Sequence, residues 1–594
     1  MQILGLSSFK HDPAVALLEN GVVKAAIEND KLVRSRTHSL PIAAIQSCFA
    51  SVGTGWRGLD LIAVATQPLR AGARKSLLRA KWSALAPVAA VYYGAKEFGV
   101  LARDLNDFRV LRQYAGGIRV IAAEHHLCHA ASAFFPSPYD RALIITMDED
   151  GDGTSAMLAI GDGSRIRVLR RVAFPHSLAW VYSQVTDLIG FVPHLEEHKT
   201  QWLSMEGEPR YKGVFLEILR KRGRSLPNLD YSFFNRGLAG KISLSRKFYN
   251  SVGLPPEPGE LPDEQRKALA ASIQQACVEL VTTLAEHYCH REGIQQVCFG
   301  GGLFQNVLLV ASLEKSLGAN RVYVPPAPGN AGTALGAAYL AWHHELQKPR
   351  VRSLTDVYLG PRFHRQDVKD ILDNTKCRYT IVNTEERRVA SAVQLLQAGK
   401  IIGWFQGAAE FGPRALGNRS VLASPWAPYV RENLNDFIKR REWFRPFALS
   451  VPEEDVSHYF EASQQCRFMN SLGRVLPEGH RFPDSFLLPD QLVRLHVVER
   501  RSNPLFWQLL KRFGDQAPAP ILLNTSFNLF GEPLVLTPRD AMRSYFASGL
   551  DALIIDTFAL SKAPMPKENS TSYSSPEPSQ VGEPSQGSKP LVRG

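Results

Sequence analysis

Three histidines and a group of carboxylates stand close together in the stretch EHHLCHAASAFFPSPYDRALIITMDEDGDGTSAM, from residue 124 to 157. If residues 125–133 are helical, His125 and His129 lie one turn, about 6 Å, apart on one face, while His126 points about 100° away. Asp148 follows the apolar run ALIITM, so its carboxylate emerges at a strand end, where crevices of α/β folds open. Two imidazoles and a carboxylate suit Fe(II), Mn(II) or Zn(II), with positions left open for a substrate oxygen. The spacing alone leaves a plainer alternative open, in which these histidines cap and pack a helix. Two other motifs fail. The protease pattern H-E-x-x-H needs a glutamate where this chain has His126. The run DEDGDG starts like a calcium loop with Asp148, Asp150, Asp152 and Gly153, but Ala159 stands where a bidentate glutamate is required.

A second group of chemistry-bearing residues lies near the other end of the chain. The stretch GWFQGAAEFGPRALGNRSVLASP (403–425) places Arg414, Asn418 and Arg419 in a Gly/Pro-rich loop, and KRREWFRPFALSV adds Lys439, Arg440, Arg441 and Arg445. So many guanidinium groups among apolar neighbours are costly unless an anion neutralises them, and arginine matches phosphate oxygens in bidentate fashion. Ser526 and Asn528, after a strand in LLNTSFNLFGEPLV, offer short polar groups suited to a nucleotide or carbamoyl group. Salt bridges to Glu410 and Glu442, or an RNA-binding face, are the alternatives. Phe411, Trp443 and Phe444 interleave with the charges but lack the alternation of an RNA-binding sheet.

These groups need a scaffold, and the hydrophobic pattern supplies one. The opening reads as a strand, a polar turn, and two strands joined by an Asn-Gly hairpin, the start of a mixed α/β domain. Residues 72–118 are basic with helical period, a pattern shared by RNA-binding and membrane-surface helices but more often that of an ordinary surface helical insertion. A long helix (264–291) leads into QQVCFGGGLFQNVLL, and RVYVPPAPGNAGTALGAAYLAWHHEL repeats its logic of strand, Gly-rich turn and helix. Two such units in succession resemble the nucleotide-cradling half of an actin/Hsp70-type fold, with Gly301, Gly302, Asn306, Gly329 and Gly332 as candidate nucleotide contacts. The segment QKPRVRSLTDVYLGPRF (347–363) reads as a linker before a new α/β pattern that runs to about residue 561. The Ser/Pro/Glu-rich remainder (562–594) is expected to be disordered.

With 594 residues, the chain is long enough for two or more cores. Its 45% hydrophobic and 21% charged residues describe an ordinary globular protein. A formal net charge of +12 is compatible with anionic substrates or weak nucleic-acid affinity and compels neither. The seven scattered cysteines contain no C-x-x-C pair, which argues against a zinc cage or a disulfide framework and suits a reducing cytoplasm. No signal peptide or membrane span is expected.

Taken together, ILGLSSFKHDPAVALLENG, HHLCHAASAFFPSPYDRALIITMD, SLAWVYSQVTDLIGF, APGNAGTALGAA, AEFGPRALGNRSVLASP, REWFRPFALSV and LNTSFNLFGEPLV resemble the NodU/CmcH-type O-carbamoyltransferases, in family order over residues 1–560. The resemblance implies an ASKHA-type N-terminal domain (1–350), a connecting segment that begins the second domain (351–375), and a YrdC-like domain (376–561). It implies that carbamoyl phosphate and ATP, with Mg2+, give carbamoyl-adenylate, and that the carbamoyl group then passes to a hydroxyl of a sugar or secondary metabolite. It assigns His125, His129 and Asp148 as ligands of a divalent metal, Fe2+ in the first place and Mn2+ or Zn2+ otherwise. His11 becomes the catalytic residue near the acceptor. Arg414, Asn418, Arg419, Lys439, Arg441, Arg445, Ser526 and Asn528 become the phosphate and carbamoyl site. Asn330 stands where the family commonly places a further aspartate ligand. The chain keeps Glu28 and Arg34 of a family motif in ENDKLVR. It has KTQWLSMEGEPRY where KVMGLAPYGEP is usual, placing Trp202 and Glu206 in a region expected to contact acceptor or nucleotide. A tRNA threonylcarbamoyl-type enzyme and a non-catalytic nucleotide-binding regulator are the rival readings. The expected partner is a small-molecule or oligosaccharide acceptor, in a protein that is free of the membrane and able to self-associate.

Overall fold

The structure, a computed structural model, describes residues 1–563 except 10–11, 70–85, 220–225, 237–241, 257–258, 352–353, 355 and 480, and only the backbone of 86–97, 236 and 242. His11, residues 72–85 of the basic stretch and the tail from 564 therefore lie outside the described residues.

The first sheet contains β1 (Gln2–Leu6), β2 (Ala14–Glu19), β3 (Val22–Glu28), β4 (Leu61–Val64) and β5 (Arg119–Ala122), in the order β3-β2-β1-β4-β5. Its first three strands form an antiparallel meander, and β4 and β5 add in parallel. The Asn20–Gly21 turn has φ values of 50° and 81°, the geometry that an Asn-Gly hairpin favours. The second sheet contains β6 (Arg141–Gly151), β7 (Thr154–Asp162) and β8 (Arg165–Ala173). After a small hairpin, β9 (Phe234–Arg236) with β10 (Ile242–Leu244), it is completed by β11 (Val297–Gly300) and β12 (Val322–Tyr323). Its order, β12-β11-β6-β7-β8, is that of the first sheet: a meander, then two parallel strands on the side of its first strand. The N-terminal domain is thus one topology used twice, the duplication that an actin/Hsp70-type architecture requires.

Each half ends in a helix rich in small residues, His125–Phe134 after β5 and Gly332–Leu340 after β12. Alanines 130, 131, 133, 334, 337 and 338 are all fully buried where these helices meet between the sheets. The approach is backbone to backbone. A Cβ on Gly336 would stand 1.8 Å from the Cys128 carbonyl oxygen, and one on Gly5 would stand 2.1 Å from that of Ala334. The helix Asp263–Glu292 is long and apolar enough to cross a membrane, but 72% of its apolar window is buried, with Leu269, Ile273, Leu280 and Leu284 against Leu143 and Ile145 of the second sheet.

A ten-stranded sheet forms the C-terminal domain. Its order is Thr380–Ile381, Phe558–Ser561, Ala552–Ile555, Ile402–Phe405, Arg419–Ala423, Leu522–Ser526, Ala448–Pro452, Leu492–Val498, Leu472–Val475 and Phe460–Glu461. The helix Arg365–Asn374 already packs on it through Val368 and Leu372. The preceding segment, which reads as a linker in the sequence, is laced between the domains. Leu359 O accepts from Ala26 N, 2.9 Å, and Gly360 N and Phe411 N complete bonds to Ala409 O and Val357 O. The reason is the open edge of β3, whose backbone needs a partner.

Glu28 and Lys31, just past β3, extend this lacing. Lys31 Nζ lies 2.9 Å from Glu28 Oε2 and donates to Glu410 O at 2.9 Å and Gly412 O at 2.8 Å, while Glu28 Oε1 accepts from Gly412 N at 2.7 Å. Arg34 donates to Leu534 O and Glu532. On the other half, Gln465 and Asn470 bond the backbone of residues 322–325, so the C-terminal domain touches both halves of the first. Lys31→Met should leave Glu28 and two carbonyls stranded, costing about 3 kcal/mol in a urea unfolding titration. Wild-type stability in that titration would show that the clamp does not hold the domains.

Candidate active site

The His125–Phe134 helix begins against the β6–β7 hairpin. Asp152, in a left-handed conformation with φ 55°, accepts from Thr66 Oγ1 at 2.9 Å, Gln67 N at 3.0 Å and His125 N at 3.3 Å. It thereby pins the helix start to the end of β4, a structural use for a carboxylate of the DEDGDG run. Asp148 does not end its strand, as the sequence suggests. β6 continues to Gly151, but its register with β7 breaks between Met147 and Gly151, and at this irregularity Asp148 turns toward the helix.

There His129 Nε2 lies 3.0 Å from His125 Nε2 and 3.1 Å from Asp148 Oδ2, and the third side, His125 Nε2 to Asp148 Oδ2, is 3.6 Å. Donor atoms placed about 2.0–2.2 Å from a common ion are spaced about 3–3.6 Å from one another, so this triangle fits a divalent transition metal. Burial would raise the Asp148 carboxyl, but the adjacent His125 and His129 imidazoles outweigh it and hold it well below the usual carboxylate range. Burial lowers the His129 imidazole, which favours the neutral ligand form. His126 plays a different part. Its Nδ1 meets Thr146 Oγ1 at 2.8 Å and its Nε2 meets Thr154 O at 2.9 Å, and burial, then the neighbouring histidines, push it down to about 3.

The glycine turns close around the triangle. A Cβ on Gly302 would stand 3.0 Å from Asp148 Oδ1, one on Gly301, where φ is 101°, would stand 2.1 Å from Met147 O, and one on Gly151 would strike the His125 ring. Gly329 faces Gln305, Gly332 faces Ala327 O, and Gly301 N donates to Pro328 O at 2.7 Å. The Asn330 carbonyl accepts from Thr333 N and Oγ1, and its buried side chain sits in this loop, two residues after Pro328. The sequence reading of Asn306 is corrected. Its Oδ1 caps Leu309 N at 3.0 Å and its amide pairs with Gln274 at 2.7 and 3.2 Å, which uses it up as a helix cap. Trp202 is corrected too: it is buried between the domains with Leu472, Leu488 and Leu492, while Glu206 is exposed.

In the C-terminal domain Lys439, Ser526 and Asn528 do come together. Lys439 Nζ donates to Ser526 O at 2.6 Å, Ser526 Oγ at 3.0 Å and Asn528 Oδ1 at 2.6 Å. Arg414, Arg441 and Arg445 gather with a residue the sequence did not single out, Arg494, which hides among the apolar positions of the strand Leu492–Val498. Burial first, and then the neighbouring arginines, push Arg414 down to about 10, Arg441 down to about 9, and Arg494 and Lys439 well below their usual values. The carboxylates nearby are Glu442, 3.8 Å from Arg445, and Glu196, and both are also held by Lys199. Cations outnumber carboxylates, so an anion placed among them would offset the excess charge.

Two sequence models of carbamoyltransferase domains match the chain, the N-terminus over residues 2–339 and the C-terminus over 393–562. An uncharacterized protein of Synechocystis is 32% identical, covering 95% of this chain and 97% of its own length. Nodulation protein NolNO of Sinorhizobium fredii is 31% identical over 94% of this chain and 80% of its own. The 3'-hydroxymethylcephem-O-carbamoyltransferase of Amycolatopsis lactamdurans is 30% identical over 39% and 42%. Among solved structures, the activator of the 2-hydroxyisocaproyl-CoA dehydratase from Clostridium difficile covers 58% of this chain and 96% of its own, at 14% identity and a TM-score of 0.31.

Within the matched C-terminal region two expected phosphate ligands do other work. Arg419 is fully buried, and its guanidinium donates to Gln406 O, Asn418 O, Gly407 O, Leu536 O and Pro361 O while stacking on Phe405. No face of it is left for phosphate. Asn418 donates to Ala408 O at 2.8 Å and accepts from Asn503 at 3.0 Å. Its backbone N–H and those of Leu416 and Arg419 all bond Glu410 Oε1, which shapes the loop that carries Arg414. Arg419→Ala should therefore strand several buried carbonyls and lower unfolding free energy by about 3 kcal/mol or more. A variant with wild-type stability and a selective loss of phosphate binding would return Arg419 to the ligand set.

Proposed function

The chain belongs to the carbamoyltransferase family, and from that premise we propose that it forms carbamoyl-adenylate from carbamoyl phosphate and ATP and transfers the carbamoyl group to a hydroxyl of a sugar or other small metabolite. The cationic cluster carries this reading, because partly buried arginines in excess of carboxylates call for a phosphorylated ligand. The cephem O-carbamoyltransferase relative supports a small hydroxyl acceptor. Balance requires that carbamoyl phosphate yield its phosphate to water and that the resulting carbamate oxygen displace pyrophosphate, delivered as the Mg2+ complex of ATP. In that step Arg414, Arg441, Arg445 and Arg494 hold phosphoryl oxygens, and the Lys439–Ser526–Asn528 group faces the carbamoyl end.

Transfer belongs to the N-terminal domain. His125, His129 and Asp148 would hold a divalent ion, with Fe2+, Mn2+ and Zn2+ all compatible with two imidazoles and a carboxylate, and it would supply Lewis-acid polarisation of an oxygen. A sugar-like hydroxyl is a poor nucleophile at neutral pH, and a neutral imidazole at His11 is assigned to take its proton as the carbamoyl–oxygen bond forms and AMP leaves. The free cysteines accord with a cytoplasmic site of action.

Incubation with carbamoyl phosphate and ATP, without acceptor, should release pyrophosphate and phosphate together. A folded, metal-loaded protein that releases neither would overturn the reading. Asn330 tests the metal half separately. An aspartate there would add an anionic donor, so Asn330→Asp should raise metal retention after mild chelation, read by elemental analysis. Unchanged retention would place Asn330 outside the ligand shell.

A further inference from the structure

The helix Glu197–Leu203 of the N-terminal domain enters the C-terminal cluster from the side. Lys199 pairs with Glu196 of its own domain at 2.6 Å and joins the domains through Glu442 at 2.5 Å, and Trp202 packs beside it on Leu472 and the neighbouring Phe444. His198, next to Lys199 in the chain and within the fields of Arg414 and Arg494, belongs to a group with unmet hydrogen-bonding capacity. His198 Nε2, Arg414 Nε, Arg494 Nε and Glu442 Oε2 are all sealed from solvent without a hydrogen-bond partner. Such atoms are rare in folded proteins, and a group of them marks a ligand position more readily than a packing defect. Three of the four offer or can offer an N–H, the complement of phosphoryl oxygens.

His198 differs from its neighbours in charge. Burial, followed by the fields of Arg445, Arg414, Lys199 and Arg494, pushes its imidazole down to about 3. At physiological pH it adds a hydrogen-bonding nitrogen to the cluster without adding a further positive charge. Arg414 meanwhile reaches the other way, donating from Nη2 to Gln305 O in the glycine turn at 3.3 Å. The arginines and the imidazole therefore come from opposite sides of the domain boundary.

We propose that His198 donates from Nε2 to a phosphoryl oxygen of the anion gripped by Arg414, Arg445 and Arg494, so that the phosphorylated ligand is bound by both domains rather than by the C-terminal domain alone. This rests on the reading above for the identity of the ligand, but the anion site itself does not. The ligand class is a phosphate monoester or acyl phosphate dianion. A neutral donor among cations suits it, because a fifth charge would be repelled in the empty state.

Inorganic phosphate is the probe, titrated into the full-length protein with melting temperature as readout. The wild type should gain stability with phosphate. His198→Leu should need about tenfold more phosphate for the same gain, the loss of one charge-assisted hydrogen bond. His198→Gln, whose amide still donates, should recover most of it. In pyrophosphate release His198→Leu should raise KM for carbamoyl phosphate about tenfold with kcat within about twofold. A structural role would lower the melting temperature without phosphate and leave the titration midpoint where it was, and that result overturns the proposal, as does a wild type that phosphate does not stabilise. If His198→Leu does not fold, His198→Phe keeps the ring volume for the same comparison. Phosphate binding that depends on His198 in a protein that forms no pyrophosphate would sustain this site and reject the proposed reaction. Pyrophosphate formation indifferent to His198 would do the reverse.

Discussion

The close approach of two alanine-rich helices governs much of this molecule. Where Gly336 meets the Cys128 carbonyl there is no room for a single additional carbon. That contact fixes the His125–Phe134 helix relative to both sheets, and this helix carries two of the three candidate metal ligands. The third, Asp148, arrives by an irregularity in β6, and the turns at 301–302 and 329–332 come close because Gly301, Gly302, Gly329 and Gly332 carry no side chain. A larger residue at any of these points would crowd the imidazoles or the carboxylate out of their present positions. Packing and ligand geometry are here one constraint.

The second candidate site is held on a different principle. Its arginines are partly buried with too few carboxylates, so they repel one another, and the strain is borne by the surrounding lattice of bonds. Glu410 organises the loop of Arg414 through three backbone amides, Arg419 staples that loop to its neighbours, and Lys439 binds the strand end at Ser526. Charges that look alike in the sequence thus divide into those that hold the loop in place and those left with few carboxylate partners.

The sequence reveals most readily what depends on short separations. The pair His125 and His129 follows from helical spacing, the first meander from its Asn-Gly turn, and the repeated strand–glycine–helix unit from its own recurrence. What depends on distant chain partners does not show. Glu28 and Arg34 stand out as motif residues, but their partners Gly412, Glu532 and Leu534 lie 384, 498 and 500 positions away. Arg494 sits in a strand pattern that gives no hint of a ligand, and His198 stands just before the stretch that departs from the family motif. Arg419 misleads for the opposite reason, since residue type announces a charge while only the fold shows five carbonyls around it.

The lacing of β3 also bears on how the protein is made. Ala26 finds its partner in Leu359, and Lys31 finds its carbonyl acceptors 379 and 381 positions later. A nascent chain therefore exposes an open strand edge and an incompletely satisfied lysine while several hundred further residues are synthesised, at a rate of about 5–20 residues per second. During that interval the first sheet can form its meander but cannot close its edge, and it is open to pairing with the wrong strand. The domain boundary that looks like a convenient place to divide the chain is where the first domain waits longest to be finished.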